Sequence, residues 1–386
     1  MQNILAVYRK IPLSVKKAEG KFIWDTKGKK YLDFFSGISV TSIGHRNGKV
    51  LKAIEGQISK YLHVSNYYTD AAQEKYAALL VNRSFPGKVF FSNSGGEANE
   101  LAIKLVRSFG AARKRYRIIS FKNSFHGRSM STLSATGQKK FQKGFSPLLS
   151  GFDFAVFNDV DSVRKLIGKS TVAVIIEPVQ GEGGVYPAEK SFLKELRKLC
   201  TRKNLLLILD EIQTGFGRCG SAFAFQSYGI KPDILTLAKA AGGGLPLGVT
   251  VLHAGLEKYL PAGSHGSTFG GNPVSCAAGL ATLGQIDGKM LKRVNRLGEI
   301  FTAALEKLKS KNGIIKEIRG RGLMLGVELK KPIAFDIARQ LLKRGILVND
   351  CKPDIVRFLP PFIVSEKDIL SVVKNVSEVL EEIDKR

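Results

Sequence analysis

The chain has 386 residues, 44% of them hydrophobic and 24% charged, which is enough apolar material for one large domain plus a smaller one and too much for a disordered chain. No run approaches the ~18 uninterrupted apolar residues of a membrane helix, the amino terminus MQNILAVYRK has no signal-peptide core, and the four cysteines form no CxxC pair, so a cytoplasmic protein with reduced thiols and no membrane partner is expected. Lys and Arg number 60 against 33 Asp and Glu, and the resulting net charge of +27 admits nucleic acid, an anionic substrate or an acidic protein as partner.

From about residue 87 to residue 253, short runs rich in Val, Ile and Leu alternate with helical patterns, the signature of a mostly parallel α/β sheet. The runs are 89–91, 118–121, 172–176, 205–209 and 234–237. In open α/β sheets the ligand crevice lies beyond the carboxyl ends of the strands. That rule singles out Ser94, Phe125, Glu177, Asp210 and Lys239.

The first run continues as KVFFSNSGGEANELAIKLVR, a strand, a tight turn and a helix with Ala98, Leu101, Ala102 and Leu105 on one face. Ser94, Gly95 and Gly96 stand at the helix amino terminus, where free backbone N–H groups and the positive end of the dipole suit a phosphate. An ordinary capped turn is the alternative reading. Basic clusters follow at Arg113, Lys114, Arg115, Arg117 and at Lys139, Lys140, Lys143; neither lies in a nucleic-acid-binding motif, and no nucleic-acid partner is expected.

The segment LLLILDEIQTGFGR is a buried strand that delivers Asp210 and Glu211 at its end. A buried Asp is stabilised by a cationic partner, and a pyridinium nitrogen is one such partner. The GFGRCG string, with Gly215, Gly217 and Gly220, formally matches a dinucleotide-binding GxGxxG. Its first glycine lies past the strand end and no clear helix starts within it, so a nicotinamide oxidoreductase is the weaker reading. In DILTLAKAAGGGLPLG, Lys239 follows a strand and precedes three glycines; apolar flanks suggest a desolvated amine able to form an imine. Phosphate turn, ring-nitrogen acid and imine lysine together point to pyridoxal 5'-phosphate. The five histidines include no HExxH, and no metal site is expected.

A helical stretch over 279–309 reads as an inter-domain connection. Beyond it, 322–329, 345–349 and 355–359 are candidate strands of a smaller α+β domain. The last helix begins at Ser365, with Asp368 completing a capping box, and presents Ile369, Val372, Val373, Val376, Val379, Leu380 and Ile383 on one face.

With these residues in view, the chain resembles the class III, fold-type I aminotransferases of the acetylornithine type over essentially its whole length. The resemblance is carried, in order, by SNSGGEANELAIKL, FHGRSMSTLSATG, IIEPVQGEGGVYPA, LDEIQTGFGRCG, PDILTLAKAAGGGLPLG, GSTFGGNPVSCAAGL and IVRFLPP. It implies an N-terminal segment, 1–50, packing with the small domain, a large cofactor-binding domain over 51–280, a small domain over 281–386, and a homodimer. It also implies roles: Lys239 carries the cofactor as a Schiff base, Asp210 pairs with the ring nitrogen, and Gln213 approaches the phenolic oxygen. Phe125 and Ile212 sandwich the ring, Glu211 joins the cofactor shell, and Ser94, Gly95 and Gly96 bind phosphate together with Thr268 of the neighbouring subunit. Arg128 would bind a substrate α-carboxylate, Ser267 would lie beside the amino donor, and Arg357 would grip a carboxylate of glutamate or 2-oxoglutarate. Glu182 resembles the gate acid that pairs with this arginine while an ω-amine is bound.

Two departures stand out. Gly96 occupies a position where the family usually has threonine, and the segment 44–49, GHRNGK, lacks the usual His-Pro ending. For the substrate, the resemblance leaves N-acetylornithine, succinylornithine, or lysine or ornithine linked to a small acidic amino-group carrier protein (LysW). The one-sided basic charge favours the carrier-linked amine, and hence lysine or arginine biosynthesis, because complementary fields steer association.

Overall fold

The computed structural model describes residues 3–384. A seven-stranded sheet forms the centre, in the order Gly87–Ser92, Gly248–His253, Ile234–Leu237, Leu206–Asp210, Thr171–Ile176, Arg117–Phe121 and Phe152–Ala155. Gly248–His253 runs antiparallel to both of its neighbours; the other pairings are parallel. Every residue of Thr171–Ile176 and Leu206–Asp210 is buried, because helices cover both sheet faces. That is why these strands read as continuous apolar runs rather than alternating ones.

The five expected runs all lie in or overlap this sheet. Two further strands went unmarked in the sequence: Phe152–Ala155 at one edge, where FDFA offers no apolar run, and Gly248–His253, whose direction periodicity does not encode. The helix Gly95–Ala111 buries Ala98, Leu101, Ala102 and Leu105 on the expected face, and Ser94 Oγ caps it by accepting from Glu97 N at 3.2 Å. Such a cap is worth roughly 1 kcal/mol.

The stretch 279–309 is not one helix. It divides into Pro273–Leu283 and Gly288–Lys309, since Gly284 ends the first and Asp287 caps the second by accepting from Met290 N at 2.7 Å. A second, antiparallel sheet follows in the order Ile315–Arg321, Met324–Leu329, Ile355–Phe358 and Asn349–Lys352. The expected strand 345–349 is shared out: Ile346–Leu347 pairs with the amino-terminal strand Lys30–Asp33, and Asn349 opens the next strand. Residues from both chain ends therefore share one sheet. The last helix, Glu366–Asp384, begins with the expected box, as Ser365 N donates to Asp368 Oδ2 at 2.6 Å and Asp368 N donates to Ser365 Oγ at 3.2 Å.

The segment 44–49 turns into the helix Gly48–Ile58, which Asn47 caps by accepting from Lys49 N and Val50 N. The GxGxxG string opens no helix. Its Arg218 is buried and donates to Ser39, Ser42, Leu323 O and Pro360 O, tying three regions of the chain together, so the string is a structural junction. No helix among the described residues is long and apolar enough to cross a membrane.

Candidate active site

The ends of several central strands open onto one cavity of about 380 Å3, whose walls include Ser94, Gly95, Gly96, Phe125, Glu177, Glu182, Asp210, Ile212, Gln213 and Lys239. Lys239 follows the strand Ile234–Leu237 and adopts a left-handed backbone, φ +53°. For a residue with a Cβ this costs on the order of 1–3 kcal/mol, which the buried strand before it and the glycines after it must hold in place. Burial pulls the Lys239 amine below its ordinary pKa; Glu182 opposes that pull and Arg357 adds to it.

Asp210 ends the strand Leu206–Asp210 and is buried. Its Oδ2 accepts from Asn99 Nδ2 at 2.7 Å and lies 2.7 Å from His126 Nδ1, while Oδ1 accepts from Ile212 N at 3.1 Å. Asn99 is itself held, donating to His126 O at 2.8 Å and accepting from Thr236 Oγ1 at 2.7 Å. The carboxylate cannot swing. Adjacent residues at a strand end face opposite sides, and Glu211 accordingly points away from the cavity. It accepts from Ala224 N at 2.5 Å and Phe225 N at 2.7 Å, the first N–H groups of the helix Ala224–Tyr228. The cofactor contact expected of Glu211 is thereby corrected to a buried helix cap, and burial pushes its carboxyl up to about 7.

At the Ser94–Gly96 turn, the first-turn N–H groups have no intrahelical acceptor. A Cβ on Gly95 would lie 2.7 Å from Ile212 Cδ1, so only glycine allows the turn to approach that side chain. A Cβ on Gly96 would meet nothing closer than Ser94 Oγ at 3.8 Å. Phe125 packs edge-on against Phe141, and its N–H donates to Glu177 Oε1 at 2.9 Å. Glu177 also accepts from Gly181 N at 3.2 Å. Burial, reinforced by the Asp210 charge, raises the Glu177 carboxyl well above the usual range.

On the opposite wall, Glu182 sits between the short strands Val179–Gln180 and Tyr186–Pro187, and its Oε1 accepts from Arg357 Nη1 at 2.7 Å. Burial alone would raise the Glu182 pKa, but the Arg357 and Lys239 charges hold it down to about 2. Gln213 is drawn into this pair: Arg357 Nη1 donates to its Oε1 at 3.2 Å and its Nε2 donates to Glu182 at 3.5 Å. Arg128 is exposed beside Phe125, with its guanidinium 4.1 Å from the Phe141 ring centre. Ser267 accepts from Asn93 Nδ2 at 3.0 Å, next to the phosphate turn. Thr268 does not line the Lys239 cavity of its own chain; with Ser267 it lines a separate depression that includes Asn66 and Phe90.

Residues 5–380 match the aminotransferase class-III family. The chain belongs to this family. Among known relatives, the acetylornithine aminotransferase of Methanocaldococcus jannaschii is 45% identical, covering 99% of this chain and 96% of that protein. The succinylornithine transaminase of Yersinia pseudotuberculosis is 40% identical, covering 98% and 95%. An ornithine aminotransferase from Toxoplasma gondii, whose crystals show partial occupancy of PLP at the active site, superposes with a TM-score of 0.95 at 30% identity, covering 100% of this chain and 93% of that one.

The cofactor of this aminotransferase is pyridoxal 5'-phosphate, and the cavity fits it. An anion cradle, a fixed carboxylate and a desolvated lysine face one space, as a phosphate, a ring nitrogen and an aldehyde require. Three residues that hold that carboxylate, Asn99 and His126 directly and Thr236 through Asn99, were not assigned from sequence. Asn99 was visible as a polar residue on an apolar helix face, and Thr236 as a hydroxyl inside a buried strand. His126 adjoins Phe125, yet nothing local reveals that its ring reaches Asp210, 84 residues away in the chain.

Proposed function

We propose that this aminotransferase moves the terminal amino group of an N-acylated ornithine, N-acetylornithine or succinylornithine, to 2-oxoglutarate, yielding the semialdehyde and glutamate within arginine biosynthesis. The observation that carries the reading is the ion pair that Glu182, in the wall of the Lys239 cavity, makes with the buried Arg357. An amine substrate with no carboxylate at that end leaves the pair closed. A dicarboxylate takes the place of Glu182 on Arg357, so one pocket serves two unlike substrates. The names of the relatives support the acylated ornithine.

When bound, pyridoxal 5'-phosphate supplies an aldehyde that condenses with amines and a protonated ring that withdraws electrons. Lys239 would hold that aldehyde, and its amine would take the proton from the substrate carbon bearing nitrogen. Burial lowers its pKa, which favours the neutral amine that a base requires. Asp210, locked by Asn99 and His126, keeps the ring nitrogen protonated. Phe125 and Ile212 would enclose the ring, Gln213 would face the phenolic oxygen, and Gly95 and Gly96 would hold the phosphate with Ser94. In a homodimer the partner subunit's Thr268 completes that phosphate site, which accounts for Thr268 lying outside the cavity of its own chain. Arg128 receives the α-carboxylate, and Ser267 lies beside the amino donor.

The net charge of +27 favours a second substrate reading, an amine of lysine or ornithine carried on an acidic protein such as LysW. Transfer rates with N-acetylornithine, succinylornithine and carrier-bound amines across a salt series separate the two. The acyl reading expects efficient transfer from the small substrates with little salt dependence. A strong preference for the carrier-bound amine, lost at high salt, would replace it.

A further inference from the structure

Arg357 lies on the strand Ile355–Phe358 directly opposite Asn349 on the neighbouring strand Asn349–Lys352. Arg357 is 1% exposed, so the direction of its donors is set by the side chains around it. Its Nε and Nη2 both donate to Asn349 Oδ1, at 3.1 and 2.5 Å. Its Nη1 donates to Glu182 and to Gln213. A guanidinium has two edges suited to a carboxylate: a side edge formed by Nε and Nη2, and an end formed by Nη1 and Nη2. Asn349 fills the side edge. Glu182 sits at the end.

We propose that Asn349 is the positioning residue that closes the side edge of Arg357 and leaves its Nη1 end to Glu182, so that the carboxylate next to the reacting carbon of a dicarboxylate displaces Glu182 alone and binds in one orientation. Neutrality is part of the device. An amide oxygen accepts the two N–H groups without cancelling the arginine charge, leaving that charge for the exchangeable carboxylate of Glu182 or of the substrate. Because Asn349 is anchored by strand pairing while Glu182 sits on a turn, one partner stays when the other leaves. The inference rests on the exchange at Arg357 proposed above.

The test uses the holoenzyme and the variants Asn349→Ala and Asn349→Asp, with retained visible cofactor absorption as the control for folding. Glutarate, a dicarboxylate that cannot react, reports binding by calorimetry, and the half-reactions with N-acetylornithine and with glutamate are followed separately. Asn349→Ala is expected to weaken glutarate and raise the glutamate KM by roughly tenfold to a hundredfold, the effect of losing hydrogen bonds to a charged group. The N-acetylornithine half-reaction should change less than about threefold, a difference under 1 kcal/mol. Asn349→Asp should weaken glutarate further, because a fixed carboxylate neutralises Arg357. Unchanged glutarate binding in both variants, or equal losses in both half-reactions, would overturn the assignment. A wild-type enzyme that binds glutarate normally but does not react with N-acetylornithine would instead count against the proposed amine, leaving the role of Asn349 standing.

Discussion

Around Asp210, every hydrogen-bond partner comes from the central sheet and the segments packed on it, and the two side-chain partners, Asn99 and His126, are each held by further contacts. Around Arg357 the partners come from three separate segments: Asn349 on the second sheet, Glu182 on a hairpin turn, and Gln213 after the strand that ends in Asp210. The first arrangement fixes a charge where a permanent ring must sit. The second, on the exchange proposed above, keeps a charge available by giving it neutral partners in Asn349 and Gln213 and one ionic partner, Glu182, that can leave. Burial contributes to both, since a low-dielectric surrounding makes any unpaired charge costly and so favours full pairing at Asp210 and prompt replacement at Arg357.

The contrast can be broken at its strongest point first. Lys239→Ala, which removes the amine facing both centres, is expected to lower transamination by at least about 10³-fold and to abolish the visible absorption of the bound cofactor. Purified variant protein that is coloured and fully active would end the proposal. Asp210→Asn keeps the shape of the side chain and removes its charge, so the rate should fall by roughly 10²–10³-fold with little change in the KM of either substrate. A rise in KM alone, measured in steady state, would place Asp210 with the exchangeable group instead.

Glu211 offers a pH-resolved test of its place as a buried helix cap. Its folded pKa is raised from 4.5 to about 7, so the stability it contributes is fully present below 4.5 and is lost as pH rises through 7. Wild-type thermal midpoints should therefore show a fall across that window that Glu211→Gln largely removes, with activity little altered. Loss of cofactor binding in Glu211→Gln at constant stability would return the residue to the cofactor shell. The smallest effect is expected at Gly96. The space around it admits a side chain, so Gly96→Thr should tighten cofactor binding by about 0.5–1.5 kcal/mol through one added hydrogen bond to phosphate. Equilibrium titration of the apoenzyme would show this, and weaker binding would mean that the added side chain crowds the turn.

The strand-end residues that line the cavity were legible in the sequence, whereas the side chains that hold them were not. Ser94, Phe125, Glu177, Asp210 and Lys239 follow directly from apolar runs and the crevice rule, and all of them line one cavity. Asn99, His126 and Asn349 act through contacts that span 111, 84 and 8 residues of chain, and no local pattern records which side chain a fold brings opposite another. Glu211 was misread because two acids in succession share a strand end but not a face. The same reasoning explains the sheet. Buried parallel strands announce themselves by composition, while the edge strand Phe152–Ala155 and the break between Leu283 and Gly288 depend on neighbours and on the Asp287 cap.

The most direct test of the exchange at Arg357 is the ratio of kcat/KM for glutamate to that for N-acetylornithine, measured in wild-type protein and in Glu182→Ala. With Glu182 gone, Arg357 keeps only its neutral partners Asn349 and Gln213. The ratio should then shift toward glutamate by roughly tenfold or more, the effect of removing a competing partner from a buried charge. An unchanged ratio would contradict the account, because it would mean that Glu182 and the substrate carboxylate never compete for the same arginine.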